Sequence, residues 1–172
     1  PDEVVTVRGQ VAVATTPGRV QEVRLVPQNP PACVEAVAAI RGADWVVLGP
    51  GSWFTSVLPH LLVPELAAAL YETTARRCVT LNLGPQVGET EGFSAETHLD
   101  VLSAHAPDLR IDAVLADPTS VVDPDLLAAV SRTLGARVLM RPVAVAEGVP
   151  IHDPLHLAAA YRDLFAGAVG DS

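Results

Sequence analysis

The residue types with most chemical potential cluster in two short segments. The first is Gly49-Pro50-Gly51-Ser52-Trp53-Phe54-Thr55-Ser56, which sets two glycines beside three hydroxyls. Glycine lets a backbone come close to a bound group, and hydroxyls can donate to an anion. A helix beginning near Ser52 would add free N–H groups that favour a phosphate. The spacing is neither GxGxxG nor a Walker A loop, and no Lys is present. A tight strand-to-helix turn capped by Ser52 explains the same residues, so both readings stand. The second segment is Asn82 with the loop Gly84–Gly92, which carries Gln86, Gly88, Glu89 and Thr90. Asn82 can bond a base, ribose or sugar, or serve ordinary turn chemistry. The loop exceeds the roughly two to six residues usual between strand and helix, and long loops are often functional or simply mobile.

The remaining candidates have plainer explanations. Asp117 and Asp123 flank Pro118-Thr119 and could hold Mg²⁺, but helix capping explains Asp123 without a metal. His98 and His105 share a helix face about two turns apart, ~10 Å, too far for one ion. His152-Asp153 reads as an acid–base pair or as a cap, and His60 is a lone histidine after a proline. No Ser-His-Asp or Cys-His set can be assembled, so catalytic residues are unknown and no metal site is assigned. Cys33 and Cys78 form no CxxC and read as free thiols of a reducing compartment.

These segments need a scaffold, and the hydrophobic pattern supplies one. Trp45–Leu48, Cys78–Leu83, Ile111–Leu115 and Val138–Met140 are short apolar runs, as expected of strands buried on both faces. Helical stretches alternate with them: Cys33–Ile40 stopped at Arg41-Gly42, a run after Pro64-Glu65, one capped by Ser94, and two opened by Asp123-Pro124 and Asp153-Pro154. Strand and helix alternate four times, which predicts an α/β fold with a mainly parallel sheet flanked by helices. In such sheets ligands gather at the carboxyl ends of the strands, where both segments fall. Before this portion, residues 4–26 alternate β-formers around Thr16-Pro17-Gly18 and predict an N-terminal β-hairpin arm. The organisation is thus an arm over 1–28 and an α/β portion over 29–172.

Composition closes off several functions. The chain has 172 residues, 49% apolar and 18% charged, with a net charge of −9. That apolar content excludes a disordered chain, and the length suits one domain. The apolar runs break well before the span of a membrane helix, and no secretory signal is visible, so no membrane insertion is expected. All eleven basic residues are Arg and they are scattered, Arg76-Arg77 being the one doublet. Such a chain is a poor binder of nucleic acid polymers.

Gly49–Pro64 resembles the GPGSLYTSxxPNLLVP signature of the YvcK-like gluconeogenesis factors, whose fold is that of the CofD-like superfamily. Asn82 with Gln86–His98 is similar to that family's second signature, N-x-x-T-Q-P-G-E-T-x-G-Y-T-A-x-x-H. His152-Asp153 resembles a weaker third element before the last helix. The likeness extends over almost the whole chain. Departures are mild: His60 stands where the family usually has Asn, Gly84-Pro85 and Val87 replace usual residues, and Pro154 stands where some members carry Thr. The Arg-only, Ala-rich composition suggests a high-GC genome, such as an actinobacterium.

The resemblance implies a Rossmann-like CofD-like fold and a cytoplasmic, nucleotide-binding regulator. Its ligand would be a UDP-sugar, such as UDP-glucose or UDP-N-acetylglucosamine, and its role cell shape and wall synthesis during growth on gluconeogenic carbon. Ligand contacts would come from Gly49, Pro50, Gly51, Ser52, Thr55, Ser56, Asn82, Gln86, Gly88, Glu89 and Thr90. No cofactor is established. The alternative is a CofD-type transferase that moves a 2-phospho-lactyl group from a guanylylated donor to a deazaflavin, with Mg²⁺. Family members carry a GGGTG nucleotide loop in their first half, and nothing like it occurs here. The sequence is therefore expected to correspond to the later half, with a homo-oligomer as one outcome for the whole protein.

Overall fold

The computed structural model describes residues 4–16, 20–86 and 88–167. Its centre is a four-stranded parallel sheet in the order β1 (Trp45–Leu48), β2 (Arg76–Thr80), β3 (Ala113–Ala116), β4 (Arg137–Met140). The register aligns Val47 with Cys78, Cys78 with Ala113 and Ala113 with Arg137. Successive side chains point to opposite faces, so apolar residues at every position give two cores. Val79, Val114 and Ala116 join one cluster with Leu58, Leu99, Leu102 and Leu127. Cys78, Ala113, Leu115 and Leu139 join the other, with Ala160 and Leu164. Strand β3 is buried throughout, as the sequence predicts, whereas β1 at the sheet edge is only half-buried over its first three residues.

The helices are α1 (Gln10–Ala14), α2 (Val34–Gly42), α3 (Pro59–Leu62), α4 (Pro64–Glu72), α5 (Ala95–His105), α6 (Pro124–Thr133) and α7 (Pro154–Phe165). Their starts follow local chemistry. Ser94 accepts from the Thr97 amide at 3.3 Å, Asp123 from that of Leu126 at 2.9 Å, and Asp153 from those of Leu155 and His156. Each cap satisfies N–H groups that have no partner within the helix. No single helix among the described residues is long and apolar enough to cross a membrane. The apolar stretch after β1 owes its composition to the core, where Trp53, Phe54, Val57, Leu58 and Leu61 are buried.

The arm is not a β-hairpin. Among its described residues it has one short helix, α1, and no strand. Gly9, at φ 97°, turns the chain into α1. Pro17 and Gly18 of the expected turn lie outside the described residues. An isolated two-stranded hairpin is marginal in water, and among the described residues this segment pairs with no sheet edge. Tertiary contacts decide its path instead: Gln10 Nε2 donates to the Thr55 carbonyl at 2.8 Å, and Val20 and Val23 pack against the core.

Asp117 ties the far half of the sheet together. It leaves β3 nearly fully buried and accepts from the Thr119 amide and hydroxyl, at 2.8 and 2.6 Å. Its other oxygen accepts from the Val143 and Ala144 amides beyond β4, at 2.7 and 2.9 Å. Burial raises this carboxyl's pKa, but the four donors outweigh burial and hold it below the ordinary value. The stabilisation is therefore present above the unfolded carboxyl's pKa and lost as pH falls through the folded one. Asp117→Ala should cost about 3 kcal/mol in urea unfolding near neutral pH. The difference from wild type should shrink below about pH 4. A pH-independent difference would mean the carboxylate charge contributes nothing.

Candidate functional site

The two chemically promising segments meet at the carboxyl ends of β1 and β2. Leaving β1, the chain passes Gly49 at φ 80° and Gly51 at φ 148°. A Cβ on Gly49 would stand 2.6 Å from the Thr80 carbonyl oxygen of β2. That glycine is thus demanded by backbone packing between strands, not by the approach of a ligand. Ser52 then caps a π-helical turn, Trp53–Val57, its carbonyl accepting from both the Ser56 and Val57 amides at 3.0 Å. Wide turns of this kind frequently occur at functional sites.

Asn82 comes from the adjacent strand end and clasps the turn. Its Oδ1 accepts from the Gly51 amide and its Nδ2 donates to the Gly51 carbonyl, both at 2.9 Å. Pairing one side-chain amide with both backbone groups of a single residue fixes the turn much as a neighbouring strand would. Strand β2 accordingly ends at Thr80 rather than Leu83, because Asn82 faces the turn instead of a ladder partner.

The anion at the start of the π turn belongs to the protein itself. The Glu89 carboxylate is 2% exposed. Both of its oxygens lie 2.6 Å from Ser52 Oγ, and Oε1 also accepts from the Phe54 and Thr55 amides at 3.1 and 3.0 Å. Ser52 Oγ is in addition in close contact with Thr55 Oγ1. The two readings of this segment therefore merge: the turn is capped by Ser52 and it also cradles an anion, Glu89. Thr90, fully buried, follows; its hydroxyl accepts from the Gln86 amide at 2.9 Å, and its own amide donates to the Gln86 carbonyl.

Nine of the eleven expected contact residues thus build one assembly. Gly49, Gly51, Ser52, Thr55, Asn82, Gln86, Gly88, Glu89 and Thr90 bond to or shape one another. Pro50 and Ser56 are exposed on its outside. Trp53, Phe93 and His98 fall inside the two signature segments but not among the expected contacts, and they pack against one another beside the assembly. The His98 ring meets Trp53 and Phe93 edge-on, with centroids 5.1 and 5.3 Å away. The available signal is helical spacing, since His98 lies one turn before Leu102 on the buried face of α5. Trp53 Nε1, Gln86 Oε1, Glu96 Oε1 and His98 Nε2 are buried here without a hydrogen-bond partner.

The other candidate groups are accounted for locally. His98 and His105 each bond through Nδ1 to the carbonyl four residues earlier, at 2.7 and 2.8 Å, so Nδ1 carries the proton. Asp117 and Asp123 are both caps, and Asp153 caps α7. Among the described residues no three His, Cys, Asp or Glu groups come together as a metal site. Cys33 is exposed and Cys78 buried, and neither is disulfide-bonded. Burial pushes the Cys78 thiol up to about 11.

A parallel sheet covered by helices, with a polar assembly at its strand carboxyl ends, is a Rossmann-like α/β arrangement. Comparison with known proteins makes the class specific. A family model described as 2-phospho-L-lactate transferase CofD matches residues 2–141, and the chain belongs to the CofD family. Proteins named as gluconeogenesis factors in Mycobacterium tuberculosis and Mycobacterium leprae are similar to it. The first is 52% identical over 96% of this chain and 49% of its own length; the second is 50% identical over 94% and 45%. The chain thus spans about half the length of these curated relatives. A crystal structure of a UPF0052-family protein from Bacillus halodurans superposes with a TM-score of 0.74 at 28% identity, over 92% of this chain and 55% of that one.

Burial also lowers the His98 pKa, with the bond to Ser94 opposing. The folded state then takes up this proton less readily than the unfolded chain. Its contribution to stability is complete above about pH 6.5 and declines as pH falls below that value. Urea unfolding of His98→Phe should lose less stability than wild type between about pH 7.5 and pH 5.5. Equal losses would show that the imidazole is not held neutral.

Proposed function

We propose that the protein carrying this chain is a cytoplasmic regulator that binds a nucleotide sugar of the UDP-glucose or UDP-N-acetylglucosamine class. Its role on this reading is to adjust cell shape and wall synthesis during growth on gluconeogenic carbon. The observation that carries the reading is the clasp of Asn82 on Gly51. It joins two segments, 31 residues apart, into a single rim at the strand ends where α/β proteins take their ligands. The names of the similar mycobacterial proteins support the gluconeogenic setting. A rim of backbone groups and hydroxyls can hold one diphosphate without the clustered positive charge that a nucleic acid needs.

The CofD description of the matching family favours a second reading, a 2-phospho-lactyl transferase acting on a deazaflavin with a guanylylated donor and Mg²⁺. Formation of the phospho-lactyl deazaflavin by the purified full-length protein would establish it over the first.

Calorimetric titration of UDP-N-acetylglucosamine into the full-length protein tests the first reading. Binding is expected, and Asn82→Asp, which keeps the acceptor but loses the donor to Gly51, should weaken it about ten-fold. No heat at millimolar ligand would refute nucleotide-sugar binding. Unchanged affinity in the variant would place the ligand away from this rim.

A further inference from the structure

Glu89 takes the donors that a ligand phosphate was expected to use, and it does so from a short loop bounded by two glycines. The five residues Gly88–Gly92 are bracketed by glycines at φ 79° and 78°. At Gly92 a Cβ would meet nothing within 4 Å, so this glycine answers to the left-handed backbone and not to crowding. Between the glycines, Glu89 and Thr90 point inward and are buried, while Glu91 is exposed. Among the described residues no Arg or His forms an ion pair with Glu89. Its charge is met by one hydroxyl and two amides across 34 to 37 residues of sequence. Bonds of this kind are individually strong, but water can supply the same donors to a carboxylate that swings out. The unpartnered Trp53 Nε1 and Gln86 Oε1 lie in the segments that the loop joins. A closed state that leaves such atoms unmet has less holding it shut than a fully satisfied core.

We infer that Gly88–Gly92 is a strap latched over the Gly49–Thr55 turn by the Glu89 carboxylate, and that its opening admits and releases the ligand. Glu89 is on this view a positioning residue and not a ligand contact. The strap follows from the contacts above, whereas its gating role rests on the nucleotide-sugar reading.

The test uses the full-length protein and Glu89→Gln. Amide hydrogen exchange at Phe54 and Thr55 should quicken about ten-fold, with the melting temperature close to wild type. Association and dissociation of UDP-N-acetylglucosamine should both quicken several-fold, because opening precedes each. A side chain that only supports the fold would not speed association. Unchanged exchange at Phe54 and Thr55 overturns the strap. Slower association, or faster dissociation with association unchanged, overturns the gating. If Glu89→Gln does not fold, Gly92→Ala keeps the carboxylate and strains one end of the strap, and the same quickening is expected. If wild type does not bind the ligand, the nucleotide-sugar reading and the gating fall together, and amide exchange alone decides the strap.

Discussion

A carboxylate withdrawn from water must be surrounded by donors, and around Glu89 that requirement organises this end of the molecule. With no ion pair to it among the described residues, Glu89 needs the Ser52 hydroxyl and the Phe54 and Thr55 amides together. Those three groups converge only if the chain after β1 turns through two left-handed glycines into a widened helical turn. That turn in turn needs Asn82 to hold Gly51 and needs Gly49 to lie against the Thr80 carbonyl. Each contact depends on β1 and β2 being neighbours in a fixed register. The polar rim is therefore built on the register of the apolar sheet.

Asp117 repeats the solution at the end of the next strand, β3. It follows its strand directly, is buried like Glu89, and collects four donors from two connections. The sheet therefore carries acidic or amide side chains at successive carboxyl ends: Asn82 beyond β2, Asp117 beyond β3. Parallel strands end in irregular backbone that the helices cannot cover, and unpaired amides there are costly. Side-chain acceptors are a compact way to satisfy them. The acidity of the chain has a structural use at these points beyond its surface charge.

Much of this was legible in the residues. Apolar runs bounded by Gly and Pro located all four strands, and Ser94, Asp123 and Asp153 marked helix starts, because capping is a local interaction. The grouping of Gly49–Ser56 with Asn82–Thr90 was legible through motif spacing and resemblance. Three features were not. The partner of the hydroxyls after β1 lay 37 residues onward, and nothing local in Glu89 distinguishes an internal anion from a ligand contact. The role of Gly49 depends on a carbonyl of the neighbouring strand. The arm has the composition of strands but, among the described residues, pairs with neither edge of the sheet; the packing of Val20 and Val23 and the Gln10 contact set its path.

The span of the Glu89 contacts also orders events in time as the chain folds. The Ser52 cap needs only neighbouring residues and can flicker into place early. Glu89 cannot reach them until β2 has docked beside β1, since closing so long a loop must wait for other contacts to offset its entropy. The rim is thus among the last parts to form, and a chain in which it is complete has already built its sheet. Any partner that recognises the finished rim would, without further machinery, distinguish folded molecules from those still in transit.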